Sequence, residues 1–323
     1  MARVLTGIQS TGVPHLGNLL GAIMPAINMS NSSGNESFLF IADLHSLTSI
    51  KDGETLKGNT YGVAAAWLAF GLNPEKTVFY RQSDVPEVTE LAWYLMCHFQ
   101  YQRLTLAHSF KDKAGRTEDI NAGLFNYPML MAADILLYDA DEVPVGKDQM
   151  QHIEMTRDVA QKLNLSTKKE LLVIPEAKVE ENTQLIPGTD GGKMSKSRNN
   201  YINIFLSDKQ LRKQVMKIET DSTPMEEPKD PETCNVFAIY KLLATKEEAV
   251  TLANQYKGGN FGYGHAKQAL YDLIITKFKE QRERFTYFME NKDEIDAILS
   301  QGAEKARKIA HKTLYRVRRE LGY

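Results

Sequence analysis

Two glycine-containing segments carry side chains that could bind a polyphosphate. In the first, residues 6–18 (TGIQSTGVPHLGN), Gly7 and Gly12 precede His15 and Asn18. Glycine lets the backbone approach a ligand closely, and the start of a following helix offers unpaired N–H groups and a partial positive charge. Because His15 and Asn18 are three residues apart, both could donate to one phosphate from a first helical turn. A tight turn with a helix cap explains this loop equally well when it is taken alone.

The second segment, residues 188–197 (GTDGGKMSKS), places Lys193 and Lys196 within reach of one phosphate chain. The glycines before the lysines make the loop flexible, and Ser195 and Ser197 can bind further phosphate oxygens. Two cations on such a loop can stabilise the charge that develops on pyrophosphate as it leaves. The pattern is typical of a lid that closes over ATP.

Short apolar runs alternate with longer amphipathic segments in the first half of the chain, as in a parallel sheet covered by helices. We predict strands at 4–8, 38–42, 78–80, 143–145 and 171–174, and helices at 16–29, 55–70, 88–99, 128–137 and 149–163. These elements predict an α/β fold with a doubly wound, Rossmann-like parallel sheet. In such folds ligands bind at the carboxyl ends of the strands, where the first glycine segment lies.

The second half is helical by pattern, with segments at 208–218, 246–256 and 265–290. We predict a sheet domain at 1–186, a smaller all-helical domain at 187–287 that contains the lysine loop, and a last helix within 288–323 that packs back on the sheet. That helix carries seven basic residues and no acidic one between positions 305 and 319: Lys305, Arg307, Lys308, Lys312, Arg316, Arg318 and Arg319. Such a run is either a solvated face or a nucleic-acid contact.

Composition limits the class of protein. The net charge of the 323 residues is −2, so a nucleic-acid partner must be bound by a local basic patch. No stretch approaches the roughly 20 apolar residues of a membrane helix, and Cys97 and Cys234 are too few for a disulfide framework or a zinc site. We expect a cytoplasmic protein with no membrane contact and no metal held by its own side chains.

Several segments resemble one enzyme family. His15–Asn18 (HLGN) is similar to the HIGH signature and residues 193–197 read KMSKS, as in class I aminoacyl-tRNA synthetases. Residues 123–138 (GLFNYPMLMAADILLY) and 143–152 (VPVGKDQMQH) look like those of tryptophanyl-tRNA synthetases. The resemblance covers essentially the whole chain. It implies a tryptophan–tRNA ligase that forms tryptophanyl-adenylate from L-tryptophan and ATP and then loads tRNA. It also implies that residues 1–186 form the catalytic domain and that the helical domain at 187–287 binds the tRNA anticodon. A homodimer is expected, as is magnesium that arrives with ATP.

The resemblance also assigns residues. The expected catalytic residues are His15, Asn18, Lys193 and Lys196, which act by position and charge. The expected ATP-binding residues are Gln9, Ser10, Gly17, Asn18, Lys113, Gly146, Asp148, Lys193, Met194, Ser195 and Lys196. The expected tryptophan-binding residues are Leu5, Gly7, His45, Tyr127, Met131, Asp134, Val145 and Gln149. One departure is Lys147, which stands where relatives usually have an acid, and it puts the charge balance beside Asp148 in doubt.

Met131 and Asp134 also suggest indole from their spacing. At three residues apart on a predicted helix, a thioether and a carboxylate share one face. An indole could pack on the first and donate its N–H to the second, a bond worth roughly 1.5–3 kcal/mol that an amino acid without this donor would leave unmade. Without the resemblance, a core methionine and a paired carboxylate are the more common explanation.

Two alternatives remain open at this stage. A tyrosyl-tRNA synthetase shares this type of fold and could use a helix aspartate for a phenol, although Met131 favours indole. A non-catalytic paralogue that binds RNA could share the scaffold, because fold alone does not establish function. Pyrophosphate release with tryptophan distinguishes all three.

Overall fold

The computed structural model describes residues 1–32, 34–107, 120–179 and 186–323. Over these residues five strands form one sheet: β1 (Arg3–Gln9), β2 (Glu36–Ala42), β3 (Thr77–Arg81), β4 (Glu142–Val145) and β5 (Glu176–Val179). Every neighbouring pair is parallel, and the order is β3-β2-β1-β4-β5. The predicted α/β fold with a parallel sheet is confirmed.

Helices connect the strands and form the second half of the chain. Those of the sheet region are α1 (Leu16–Asn18), α2 (Met24–Ser32), α3 (Asp43–Ser46), α4 (Gly53–Ala69), α5 (Glu87–His98), α6 (Tyr101–Thr105), α7 (Ala122–Leu136) and α8 (Met150–Thr167). A π-helical segment, Leu19–Ile23, joins α1 to α2. The later helices are α9 (Asp208–Met216), α10 (Asn235–Leu243), α11 (Lys246–Gly258), α12 (Tyr263–Lys277), α13 (Lys279–Glu290) and α14 (Lys292–Leu321). Within the described ranges, no helix is both long and apolar enough to span a membrane.

The central strand β2 explains the two-sided core. Its residues 38–42 are all buried, as expected for a parallel strand covered on both faces. Since side chains alternate along a strand, Leu39 and Ile41 pack in one cluster, and Phe38 and Phe40 pack in the other. The first cluster continues through α4 into the later helices, and the second includes residues of α5, α7, α8 and α14.

The predicted strand at 171–174 was wrong. These residues form an irregular segment, and the fifth strand is β5, further along the chain. Leu171 and Leu172 are buried, but their N–H groups donate to the side-chain oxygen of Asn164 at 2.9 and 3.0 Å. A side chain therefore satisfies the backbone that a strand partner would otherwise pair.

Two helix boundaries also differ from the prediction. The helix predicted at 128–137 begins at Ala122, because the Asn121 side chain accepts from the N–H of Leu124 and caps it. The helix predicted at 265–290 is two helices, since Phe278 leaves helical geometry with φ −106° and ψ 18°. Helix α10 lies in a segment for which no element was predicted.

Helix α14 packs against β3 and α5. A Cβ added to Gly302 would lie only 1.7 Å from the carbonyl oxygen of Phe79, so the helix backbone rests directly on the strand. At the same interface Arg307 donates to Glu87 at 2.8 Å. Helix α13 packs on α4, so the first core cluster joins the sheet to the later helices, and the domain boundaries at 186 and 287 stay a prediction.

Candidate active site

A cavity of about 570 Å³ opens where β1 and β4 end. These strands are neighbours in the sheet but far apart in the sequence, which is the switch point at which doubly wound folds bind ligands. All eight residues expected to bind tryptophan line it, namely Leu5, Gly7, His45, Tyr127, Met131, Asp134, Val145 and Gln149. Gln9, Gly146 and Asp148 of the expected ATP set also line it.

Asp134 is a buried acceptor in this cavity, and only 3% of its surface is exposed. Its Oδ2 accepts from His45 Nε2 at 2.8 Å, and its two oxygens accept from Gln82 Nε2 at 2.8 and 2.9 Å. Burial raises the pKa of Asp134, while the hydrogen bonds from His45 and Gln82 lower it. Both neighbours therefore favour the ionised form, which can accept a further N–H donor.

Gln82 is a site residue that the sequence analysis missed. It opens the 3-10 turn Gln82–Asp84 directly after β3, so it stands at the carboxyl end of a strand. That position was the available signal, because ligands in doubly wound folds bind at the carboxyl ends of the strands. An uncharged amide after a strand does not by itself indicate a functional residue; its hydrogen-bond partners do.

Tyr127, His152 and Gln149 form a second hydrogen-bonded chain beside the cavity. The Tyr127 hydroxyl lies 2.9 Å from His152 Nε2, and His152 Nδ1 lies 2.9 Å from Gln149 Oε1. Since the amide oxygen only accepts, Nδ1 carries the proton and Nε2 accepts from the hydroxyl. The Gln149 amide is thereby oriented, and its Nε2 donates to Asp148 at 3.1 Å. The sequence analysis gave no role to His152; its place in the first turn of α8, three residues after Gln149, was the signal.

Close packing shapes the apolar wall. A Cβ at Gly7 would lie 2.5 Å from the ring of Phe40, so a larger residue there would have to displace that ring. Leu5 and Val145 are buried in the same wall, and Met131 is half-buried. A flat apolar ligand would find mainly carbon and sulfur on these sides, with Asp134 and His45 as buried polar groups elsewhere in the lining.

His15 caps helix α1 in a way that fixes its proton. His15 Nδ1 accepts from the N–H of Asn18 at 3.3 Å, and Asn18 Oδ1 accepts from the N–H of His15 at 3.2 Å. The neutral ring therefore carries its proton on Nε2. Burial, and next the charge of Lys196, lower the pKa of His15 to about 4. At neutral pH the imidazole N–H and the Asn18 amide are uncharged donors.

Lys196 lies over the glycine loop. A smaller cavity of about 180 Å³, lined by Gln9, Gly12, Asn18 and Lys196 among others, adjoins the first one at Gln9. Gly12 has φ +125°, and a Cβ there would lie 3.0 Å from Lys196 Nζ, so glycine permits both the backbone turn and the close approach. Burial lowers the pKa of Lys196 to about 8. Lys193 lies exposed on the same loop and is absent from the described lining of this cavity.

Asn200 organises the lysine loop and was also missed. It is buried, its Nδ2 donates to Asp190 Oδ1 at 2.6 Å and to the Lys193 carbonyl at 3.0 Å, and its Oδ1 accepts from the N–H of Ser195 at 2.7 Å. A Cβ at Gly188 would lie 2.3 Å from the Asn200 amide nitrogen. The lysine loop is thus wrapped around the side chain of Asn200. The sequence analysis did not predict this, because a separation of five residues from Ser195 indicates no contact.

The other residues expected to bind ATP do not all lie at a cavity. The N–H of Gly17 lies 3.2 Å from the Met194 sulfur, which joins the two signature segments. Ser10 is fully buried, and its hydroxyl lies 3.1 Å from that of Ser46, so it anchors the loop to α3. Direct binding of ATP by the Ser10 hydroxyl stays a prediction. Lys113 lies outside the described residues.

Comparison with known proteins gives one consistent family. Residues 1–279 match the model of class I tRNA synthetases (W and Y). A tryptophan–tRNA ligase of Campylobacter jejuni is 47% identical over 320 residues, which are 99% of each chain, and one of Fusobacterium nucleatum is 46% identical over 322 residues, 100% of this chain and 98% of that one. The crystal structure of a Campylobacter jejuni tryptophanyl-tRNA synthetase with ADP and tryptophan superposes with a TM-score of 0.96 at 46% identity, covering 99% of this chain and all of the other.

Proposed function

Because this chain belongs to the class I tRNA synthetases for tryptophan and tyrosine, we propose that the residues around its cavity activate tryptophan and transfer it to tRNA. The activity is that of an ATP-dependent tryptophan–tRNA ligase. Tryptophan and ATP give tryptophanyl-adenylate and pyrophosphate, and the tRNA 3′ end then takes the tryptophanyl group. The observation that carries this function is the full-length likeness to tryptophan–tRNA ligases, in a chain whose two signature segments meet beside the cavity.

We propose that Asp134 selects the indole. Its buried carboxylate can accept the indole N–H while Met131 packs on the ring face. Tyr127 and Gln149, which are both hydrogen-bonded to His152, would bind the ammonium group. A side chain with no N–H donor would leave a buried acceptor unmatched, which supports discrimination without an editing site.

The proposed activation step needs no covalent intermediate with the protein. The tryptophan carboxylate attacks the α-phosphorus in line, and the bond to the leaving pyrophosphate breaks. The Asn18 amide and Lys196 line the smaller cavity as donors to the phosphates. His15, hydrogen-bonded to Asn18, would add its Nε2–H, and Asp148 and the backbone of Gly146 would hold the ribose. Lys193 would join the phosphates as the flexible loop moves over ATP. Positioning and charge stabilisation supply the acceleration.

Magnesium would enter with ATP. Over the described residues, no three His, Cys, Asp or Glu side chains are arranged as a metal site. The smaller cavity offers amide and hydroxyl oxygens, from Gln9 and Thr11, and no carboxylate among the described residues that line it. Magnesium usually keeps several waters and binds phosphate oxygens, so this donor set suits an ion held mainly by ATP.

A basic face of α14 is our candidate for contact with tRNA. Arg316 donates to Asp139 at 3.0 Å and Arg307 is bonded to Glu87, so part of the basic run fixes the helix to the sheet instead of facing RNA. Lys308 and Lys312 are exposed, and their ammonium groups pair with no carboxylate of the described residues. With Tyr315, which is exposed on the same face, they can bind phosphates and stack on a base.

A homodimer is supported by an apolar groove of about 350 Å³ between α3, α5 and α7. Leu47, Met96 and Leu130 line the groove, and Trp93 on α5 is 62% exposed. Exposed apolar surface of this kind often marks an interface. Tyr127 lines both groove and cavity, so a second subunit would lie next to the tryptophan site. Sedimentation should show a dimer that Trp93→Glu converts to monomer; an active wild-type monomer would contradict the proposal.

The test of the function is exchange of labelled pyrophosphate into ATP, catalysed by the purified protein. The exchange should take place with tryptophan and not with tyrosine. Asp134→Ala should lose most of the exchange, since the indole then has no buried acceptor. Exchange driven by tyrosine would support the tyrosine branch of the family. No exchange with either amino acid would support a non-catalytic paralogue.

A further inference from the structure

Gln82 is not among the residues that line the tryptophan cavity, but its side chain is hydrogen-bonded to both α3 and α7 beside it. Only 1% of its surface is exposed, and its amide group lies between the start of α3 and the last turn of α7. Nε2 donates to the two oxygens of Asp134 at 2.8 and 2.9 Å. Oε1 accepts from the N–H groups of Leu44 and His45 at 3.1 and 3.3 Å.

These contacts determine which way the amide faces. The backbone N–H groups of Leu44 and His45 can only donate, so they require the amide oxygen and turn the NH₂ group to Asp134. The His45 ring then donates to the same carboxylate from the helix whose start Gln82 holds. One buried glutamine thus sets the position of Asp134 directly and that of His45 through its backbone.

The carboxylate keeps room for a ligand. An ionised carboxylate has about four acceptor positions, and the contacts from Gln82 and His45 use about three of them. Asp134 is itself part of the cavity wall, so we assign the remaining position to a donor bound in the cavity. Loss of the Gln82 donors would remove a bond that favours the ionised form, while burial, which disfavours it, would remain.

We propose that Gln82 is a positioning residue for tryptophan selection: it holds the side chain of Asp134 oriented so that the carboxylate accepts the indole N–H. This inference rests on the proposed role of Asp134. Gln82 itself does not touch the substrate. Its contribution is therefore to selectivity for the N–H group, and it should not alter the binding of the rest of the amino acid.

The experiment compares tryptophan with β-(benzothiophen-3-yl)alanine, which has sulfur in place of the indole N–H. Pyrophosphate exchange gives kcat/KM for each substrate with the wild type, Gln82→Met, Asp134→Ala and Gln281→Met. Methionine keeps the length and much of the volume of glutamine but lacks the amide. Gln281, on α13 and away from the cavity, provides the same exchange of residue types as a control.

In Gln82→Met we expect kcat/KM for tryptophan to fall about tenfold to a hundredfold, mainly through KM, with the analogue changed by less than about threefold. Asp134→Ala should reduce the same selectivity, and Gln281→Met should not. Equal losses for both substrates in Gln82→Met, or no loss, would overturn the inference while Asp134→Ala still reduces selectivity. If Asp134→Ala leaves selectivity unchanged, the proposed role of Asp134 fails, and the inference fails with it.

Discussion

ATP binding should depend on the charge of Lys196, and burial makes this charge easier to lose as the pH rises. Burial beside the glycine loop lowers the pKa of Lys196 to about 8, from the usual lysine value of 10.5. Below pH 8 most molecules carry the ammonium group, and above it most do not. At pH 9 only about a tenth remain charged, so affinity of the free protein for ATP should fall about tenfold between pH 7 and pH 9.

Calorimetric titration of ATP into the protein without tryptophan, at pH 7, 8 and 9, measures this fall. The nucleotide hardly contributes, because a phosphate group loses its last proton near pH 6. Binding should also take up a proton above pH 8, since the anionic phosphates raise the pKa of Lys196 in the complex. In pyrophosphate exchange at saturating ATP, the rate should therefore decline at a higher pH than the affinity of the free protein for ATP does.

Lys196→Arg is the matched control, because a guanidinium stays charged throughout this range. Its ATP affinity should be lower or equal at pH 7 but nearly constant up to pH 9. If wild type and Lys196→Arg lose affinity in parallel, another group titrates and the role assigned to the buried ammonium is refuted.

Three further changes test the packing, the loop and the RNA surface. Gly302→Ala should destabilise the protein by about 3 kcal/mol in denaturant unfolding because its Cβ meets the β3 backbone, whereas Gly58→Ala, on an open face of α4, should stabilise it by about 0.5–1 kcal/mol. Equal changes in the free energy of unfolding for the two variants would contradict the close contact between Gly302 and Phe79. Asn200→Ala should lower kcat of pyrophosphate exchange about tenfold with little change in KM for tryptophan, since the lysine loop loses its organising side chain. Lys308→Glu with Lys312→Glu should weaken tRNA charging and leave exchange intact; unchanged charging would remove this face as an RNA contact.

Sequence patterns predicted four of the five strands of the sheet, because short apolar runs alternate there with longer amphipathic segments. They also placed His15, Lys196 and Asp134, whose spacing or motif is local. Gln82 and Asp134 are 52 positions apart, so no spacing rule joins them, and an amide after a strand is ordinary in a sequence. Likewise, the basic run on α14 gave no sign that Arg316 pairs with Asp139, 177 positions away.

The prediction of a strand at 171–174 was wrong for a related reason. Its hydrophobicity did predict burial, since Leu171 and Leu172 are core residues. Hydrophobicity cannot say whether a buried backbone is paired by a neighbouring strand or by a side chain such as that of Asn164. The true strand β5 is half exposed at the sheet edge and carries a weaker apolar signal.

The contact between Gly302 and Phe79 bears on how the protein is made. β3 is an edge strand, and α14 lies against its backbone. During synthesis the sheet region leaves the ribosome long before α14, so this edge and the core positions later filled by Ala303, Ala306 and Ala310 stay uncovered for most of translation. An open edge invites pairing with other chains. The nascent protein should therefore need a chaperone more in this interval than after α14 has docked.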